Sequence, residues 1–232
     1  MKNLAAPVAL AAIVVSVALP APARADGAAA PAAAPAALVT TDGDVERIAA
    51  AGHALRSNWT PPGKDKRYGH AEVLVHAPIA AVRSVVMDYA HYKDLSGGKI
   101  QTTKVVAKDA GSTDVYTRIP IMNGLITAWY VVRYAPLKVV TPGTETVEGQ
   151  MVKGNLRDMN GIWTMRAVND SWTVVKLDLL ALPDVTVPQA WIDEGLRDAA
   201  GDAITAVHDR AQGDSHWEPW QGATSAGASA TK

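Results

Sequence analysis

From Tyr68 to Ala211 the chain follows an order of elements that few architectures can absorb. A strand-like run, Tyr68–His76, meets a helix that starts at Pro78 and reaches Tyr89. A long series of alternating strands and tight turns comes next, and one long amphipathic helix, Pro188–Ala211, closes the series. The economical solution is α+β. The strands curl into one antiparallel sheet, and the last helix buries its apolar stripe in the concave side.

Local signals support each element. In Tyr68–His76 the residues Ala71, Val73 and Val75 alternate onto one face. Pro78 suits a first helical turn, where its missing N–H has no partner to lose. Ala81, Val82, Val85, Val86 and Tyr89 then repeat at helical spacing. Further strands are expected at Ile100–Lys108, Val115–Ile121, Leu125–Tyr134, Glu145–Met151, Gly161–Val168 and Trp172–Ala181. Asn123-Gly124 tolerates the positive φ of a two-residue hairpin, and Pro142-Gly143 and Asn169-Asp170 mark further turns. Upstream, Asp44–Asn58 reads as a short helix through Val45, Ile48, Ala49 and Leu55. The closing helix puts Ile192, Leu196, Ala199, Ala203 and Val207 on one stripe, and its roughly 34 Å crosses a small sheet. Small residues in mid-stripe (Ala199, Ala200, Ala203) either bring the helix close to a neighbour or leave room for a guest.

The N-terminus reads as a secretory signal. Lys2 supplies the positive start, Leu4–Leu19 the apolar run, and Ala23-Arg24-Ala25 an A-x-A cleavage site. The run is shorter than the roughly 20 residues of a membrane span. The expected organisation is a signal peptide at 1–25, an Ala/Pro-rich linker at 26–40, one folded domain at 41–212 and a flexible tail at 213–232. The expected location is a bacterial periplasm or the exterior. With no cysteine, the chain has no disulfide, so its core alone must stabilise it. The net charge of −1 gives no reason to expect a nucleic-acid partner. Phe is absent, so the aromatic content rests on 7 Trp and 6 Tyr, whose polar tips want a partner or water.

Three segments carry a family resemblance. Val73–Leu95 contains a strand, an Ala-Pro and a helix ending in Asp88-Tyr89-Ala90-His91-Tyr92. Gly161-Ile162-Trp163-Thr164-Met165 forms a late Gly-x-Trp strand, and Pro188-Gln189-Ala190-Trp191 opens the last helix. Together they resemble the START-related lipid-transfer and polyketide-cyclase superfamily. The resemblance implies a helix-grip fold: a curved antiparallel sheet of about seven strands around a long C-terminal helix. It also implies a cavity between sheet and helix, gated by loops at one end. The fold hosts carriers, cyclases and regulators, so it names no chemistry. An exported binder or carrier of a lipid or other hydrophobic small molecule is the leading expectation. A polyketide cyclase or aromatase and a protein-interaction domain with a collapsed cavity are the alternatives.

Alternation then nominates cavity residues: Trp163 and Met165 on one strand, and Val175, Leu177 and Leu179 on the next. Ile192, Leu196, Ala199 and Ala203 join them from the helix. In Leu125–Tyr134 both parities are apolar; Trp129 and Val131 are the inner pair if Tyr130 and Val132 point out. Tyr116 and Arg118 are polar candidates. An arginine inside could hold a carboxylate or phosphate, whereas Arg118 and Arg133 on the outer face would sit beside Glu145, Glu148 or Asp178. Two apolar loops, holding Met122 and Leu125 and then Val185 and Val187, either form the mouth, with transient membrane contact, or pack on the domain.

No enzymatic constellation emerges. There is no G-x-S-x-G elbow and no G-x-G-x-x-G, and Gly97-Gly98-Lys99-Ile100 lacks the phosphate-loop pattern. His70 and His76 lie about 20 Å apart along one strand face, too far for one metal. Asp88, His91 and Asp94 share a helical spacing that more often marks a solvated end than a metal site. No catalytic residue, metal or cofactor is expected, and no protein partner can be named.

Overall fold

The computed structural model describes residues 42–96, 98–109, 111–121, 124 and 126–213. The expected signal peptide, linker and tail beyond Gly213 lie outside the described residues, as do Met122, Asn123 and Leu125.

Helix α1 (Asp42–Ala51) leads into strand β1 (Leu55–Trp59) and strand β2 (Tyr68–Val75). Helix α2 (Ile79–Val86) follows, then two short 3₁₀ turns at Tyr89–His91 and Asp94–Ser96. Strands β3 (Thr102–Lys108), β4 (Thr113–Ile121), β5 (Ile126–Tyr134), β6 (Lys138–Thr141), β7 (Thr144–Gly154), β8 (Leu156–Ala167) and β9 (Thr173–Pro183) come next, and helix α3 (Gln189–Ala211) ends the domain. The strands form one sheet in the order β1-β2-β9-β8-β7-β5-β4-β3, with β6 paired to β7. Every pairing is antiparallel. This is the α+β helix-grip architecture.

Two expectations need correction. The predicted helix Asp44–Asn58 stops at Ala51, and its last residues turn into β1. Gly52, at φ +64, ends the helix in the left-handed conformation that glycine tolerates. Leu55 therefore serves a strand that pairs with β2, and two unpredicted strands, β1 and β6, raise the count to nine.

Helix α3 packs against β2, β9, β1 and α2. Its buried stripe is Leu196, Ala200, Gly201, Ile204, Val207 and His208, while Ala199 is exposed and Ala203 half-buried. The stripe is thus turned by about one residue after Leu196 relative to the expected one. Gly69 sets the rotation, because a Cβ there would lie 2.1 Å from the Leu196 carbonyl oxygen. With no side chain between them, helix backbone rests directly on β2. The side chain of Asn58 ties β1 to the same turn by donating to the Asp193 carbonyl at 2.8 Å.

The main core lies between the inner face of the sheet, α2 and α3. It holds Ala71, Val73 and Val75 of β2, Val147 of β7, Trp163 and Met165 of β8, and Ala200, Ile204 and Val207 of α3. A smaller cluster covers the outer face, where Val45 and Ile48 of α1 meet Leu74 and Val174.

Candidate functional site: a hollow over the inner face

Strand register decides which side chains face α3. Val115 pairs with Val132 and Thr117 with Tyr130, and directly opposed residues share a face. Val115, Val132 and Tyr134 belong to the main core, so Tyr130 also faces inward. Trp129 and Val131 point away, correcting their expected place in the cavity. Tyr116 and Arg118 are on that outer face as well: the Tyr116 and Trp129 rings stack at 6.5 Å and Arg118 is exposed. Arg133 is outward too, and its partner is Asp114, through two hydrogen bonds of 2.7 Å each. Alternation alone does not choose here, because Ile126–Tyr134 is apolar at both parities; the neighbouring strands make the choice.

The remaining nominees divide by position. Trp163, Met165, Val175 and Leu177 are buried in the core, and Leu179 is half-buried beside them. Leu196 and Ile192 pack with Tyr68, Leu180 and Leu182. Ala203 leans on the core, and Ala199 stands outside it.

A row of glycines crosses the inner face. Tyr134 pairs with Gly149, Gly149 with Gly161, Gly161 with Leu179, and Leu179 with Gly69. The space over each differs. A Cβ on Gly149 would lie 2.7 Å from the Tyr134 ring, and one on Gly69 would meet the α3 backbone. Over Gly161, which is itself buried, a Cβ would meet no described atom within 4 Å. Close-packed interiors seldom leave such a gap beside a buried residue. The hollow therefore has Gly161 as its floor, Tyr134 on one side and the N-terminal half of α3 on the other. Sequence reading placed Gly161 in a family motif but had no signal for the space above it.

Four tyrosines furnish polar groups within this apolar face. Tyr89 stacks on Tyr134 at 4.3 Å, and Tyr92 meets both rings edge-on at 5.5 and 6.0 Å. The Tyr92 hydroxyl donates to the Val86 carbonyl at 2.6 Å. Burial pushes Tyr89 up to about 12; burial raises Tyr134 further, with Tyr130 and Tyr89 adding to it, and raises Tyr92 well above its ordinary value, with Tyr134 and Tyr89 adding to it. Tyr130 is also pushed up to about 12 by burial, although its hydroxyl lies beside Thr117, which favours the ionised form. Tyr130 nevertheless keeps accessible surface.

Charges are held off the hollow. Among the described residues of β4, β5, β7, β8 and β9, Glu145 is the one ionisable side chain other than tyrosine with inner parity. Arg83 of α2 takes up that carboxylate through two hydrogen bonds, 2.7 and 2.5 Å. No strand carboxylate there is left free to act as a base toward Tyr130.

The opposite end of the recess is less filled. Ile119, Ile121, Met151 and Ala181 are half-buried there. The segment after β9 adds Val185, 47% exposed, and half-buried Val187, and α3 adds Trp191, 62% exposed.

The outer face holds a second polar constellation, where the alternation of Lys176 and Asp178 with Val175, Leu177 and Leu179 reads in the sequence as one wet face of β9. Lys176 and Asp178 are instead buried with His70 and Glu72. His70 Nδ1 lies 2.7 Å from Asp178, and Trp59 donates to the same carboxylate at 2.5 Å. Glu72 accepts from Arg47 of α1 and lies 3.6 Å from Lys176. Burial disfavours the charge on His70, but hydrogen bonds to Asp178 and Glu72 outweigh it and raise its pKa to about 9. Burial likewise opposes the Glu72 charge, and His70, Arg47 and Lys176 overcome it to hold Glu72 at about 2. These groups clamp α1 and β1 onto the sheet and lie on the face away from the hollow.

A sheet gripping a long C-terminal helix over an apolar hollow defines the class: an α+β helix-grip fold. Solved structures with this fold include a STAR-related lipid transfer protein from Xanthomonas axonopodis, with TM-score 0.56, 14% identity and coverage of 68% of this chain and 98% of that one. Human StAR-related lipid transfer protein 5 matches with TM-score 0.56 and 11% identity over 69% of this chain and 82% of its own. The protein TTHA0849 from Thermus thermophilus matches with TM-score 0.53 and 15% identity over 63% of this chain and 97% of its own. No protein-family profile matches the chain, and no curated protein matches its sequence.

Proposed function

We propose that this protein binds a lipid or another hydrophobic small molecule in the hollow between the sheet and α3, and carries it rather than transforming it. The open space over buried Gly161 carries this reading. Burial of apolar ligand surface supplies the affinity, at about 25 cal/mol per Å² as an upper estimate. Two neighbours with this fold are lipid transfer proteins, which agrees with the reading. The commitment of Glu145 to Arg83 favours a carrier over a cyclase, because it removes a ready base.

The proposal extends to place and route. Lys2, the Leu4–Leu19 run and Ala23-Arg24-Ala25 support export to a periplasm or the exterior. Ligand passes beside the segment after β9, where exposed Val185 and Trp191 support transient contact with a membrane surface.

Mass spectrometry of organic extracts from protein purified in its native host tests the central reading. A stoichiometric hydrophobic molecule, lost in Gly161→Leu protein that keeps its melting temperature, is the expected result. Equal retention by the filled variant would overturn the location.

A further inference from the structure

Helix α1 covers the outer face of the sheet at Leu74 and Val174. The opposite flank presents a different surface. The register lines up Lys104 of β3, Tyr116 of β4, Val131 of β5 and Lys153 of β7 in one rung. The next rung toward the mouth holds Thr102, Arg118 and Trp129. All have the outer parity, opposite to that of the core residues Val115 and Val132. Tyr116 and Trp129 stack at 6.5 Å, half-buried, in the middle of the patch. Lys104, Arg118 and Lys153 are exposed around them.

The patch is unbalanced in charge. Strands β3, β4 and β5 contain one carboxylate, Asp114, and Arg133 takes it through two hydrogen bonds of 2.7 Å each. On β7 and β8, Glu148 and Asp158 are paired with Lys64 and Lys66. Among the described residues no ion pair reaches Lys104, Arg118 or Lys153. Unmatched cations around an aromatic centre complement a partner that is anionic and also offers apolar contact.

Position selects that partner. Arg118 and Trp129 lie three residues from the mouth ends of β4 and β5, Ile121 and Ile126, or about 10 Å along the strand. Val185 and Trp191 are exposed at the same end of the sheet, past Pro183 of β9. A tip that touches the apolar edge of a bilayer brings residues set back by that distance level with the headgroups. Trp and Tyr rings favour this depth, and Lys and Arg are drawn to it when the lipids are anionic. A nucleic acid would use the same charges, but it gains nothing from the apolar tip beside them.

Resting on the membrane contact proposed above, we infer that the outer face of β3, β4, β5 and β7 docks on an anionic phospholipid surface. Lys104, Arg118 and Lys153 meet the lipid phosphates, and Tyr116 and Trp129 sit between the headgroups. The face sets orientation, holding the mouth against the bilayer, and it favours anionic over zwitterionic membranes.

The test compares co-sedimentation of the full mature chain with vesicles of phosphatidylcholine alone and with vesicles carrying about 30% phosphatidylglycerol, enough to charge the surface. At about 0.1 M salt the expected partition is roughly tenfold stronger on the anionic vesicles, and the difference collapses at about 0.5 M, where charges are screened within about 4 Å. Lys153→Glu lowers anionic binding about fivefold or more, the weight of one cation near such a surface. Lys93→Glu, the same charge change at an exposed site outside the sheet, does not. Arg118→Glu combined with Lys153→Glu brings the anionic vesicles down to the phosphatidylcholine level. Both charge variants keep their affinity for the neutral fluorescent reporter N-phenyl-1-naphthylamine, which the carrier reading places over Gly161. Equal partition on the two vesicle types, a preference that survives the double variant, or an equal loss in Lys93→Glu overturns the inference. So does tighter binding to a single-stranded oligonucleotide than to the anionic vesicles. The readings beneath it fail separately: the mouth when Val185→Asp with Trp191→Asp leaves partition onto phosphatidylcholine unchanged, and the carrier when the reporter does not bind or when Gly161→Leu binds it equally well.

Discussion

Gly149 and Gly161 face each other across the β7–β8 ladder, yet only one of them is covered. The Tyr134 ring sits 2.7 Å from where a Gly149 side chain would begin, whereas no described atom lies within 4 Å of the same point on Gly161. Two glycines in one register pair thus do opposite jobs. One admits a core aromatic, and the other keeps a floor clear.

Substitution separates those jobs. Gly161→Leu fills empty space, so reporter affinity falls at least tenfold while the melting temperature holds or rises. Gly149→Leu drives a side chain into Tyr134 and costs about 1–3 kcal/mol, the range for overpacking. Urea unfolding and N-phenyl-1-naphthylamine titration on both variants check the pair.

Contact between Gly69 and Leu196 predicts a helix displacement. Gly69→Ala places a methyl group 2.1 Å from a helix carbonyl, and backbone cannot rotate out of the way as a side chain can. The expected loss is about 3 kcal/mol. Increased hydrogen exchange in the Leu196–Gly201 turn is the accompanying signature, and an unshifted unfolding midpoint would refute it.

The outer-face network makes stability pH-dependent with a definite sign. His70 is raised from 6.5 to about 9, so its contribution is complete below pH 6.5 and is lost as pH rises through 9. Glu72 is lowered from 4.5 to about 2, so its contribution is complete above pH 4.5 and is lost as pH falls through 2. Both are fully present between pH 4.5 and 6.5. Thermal melts from acid to alkaline pH should peak in that window, and His70→Gln should flatten the decline between pH 6.5 and about 9.

Glu72 also anchors buried Lys176, which lies 3.6 Å away. Glu72→Ala leaves that ammonium buried without its carboxylate and costs about 3–5 kcal/mol. Lys176→Met in the same background recovers a large share of the loss by removing the stranded charge. Denaturant unfolding of the single and double variants reads the coupling directly.

At the mouth, Val185→Asp and Trp191→Asp alter exposed side chains, so stability stays within about 0.5 kcal/mol. Partition onto phosphatidylcholine vesicles, measured by co-sedimentation, should fall several-fold. Unchanged partition in the double variant would exclude this edge from membrane contact.

The order of elements, the closing helix and the residues of β8 and β9 that face it were legible in the sequence, because hydrophobic period and turn chemistry are local properties. Pro78, Pro142-Gly143 and the Ala71-Val73-Val75 alternation each report on neighbours a few residues away. The parity of Ile126–Tyr134 was not legible, since Trp129 and Tyr130 are equally suited to burial; pairing with β4 and β7 selected Tyr130. The stripe of α3 turned away from Ala199 because Gly69, far upstream in sequence, lets Leu196 settle onto β2. Buried charge on β2 and β9 was hidden for the same reason: Lys176 and Asp178 look like a solvated face until Arg47, Trp59, His70 and Glu72 arrive from other elements. Local pattern was thus enough for a sheet, a gripping helix and an apolar interior. Where that interior stays open is a property of the assembled fold, because empty space is set by what distant side chains fail to reach.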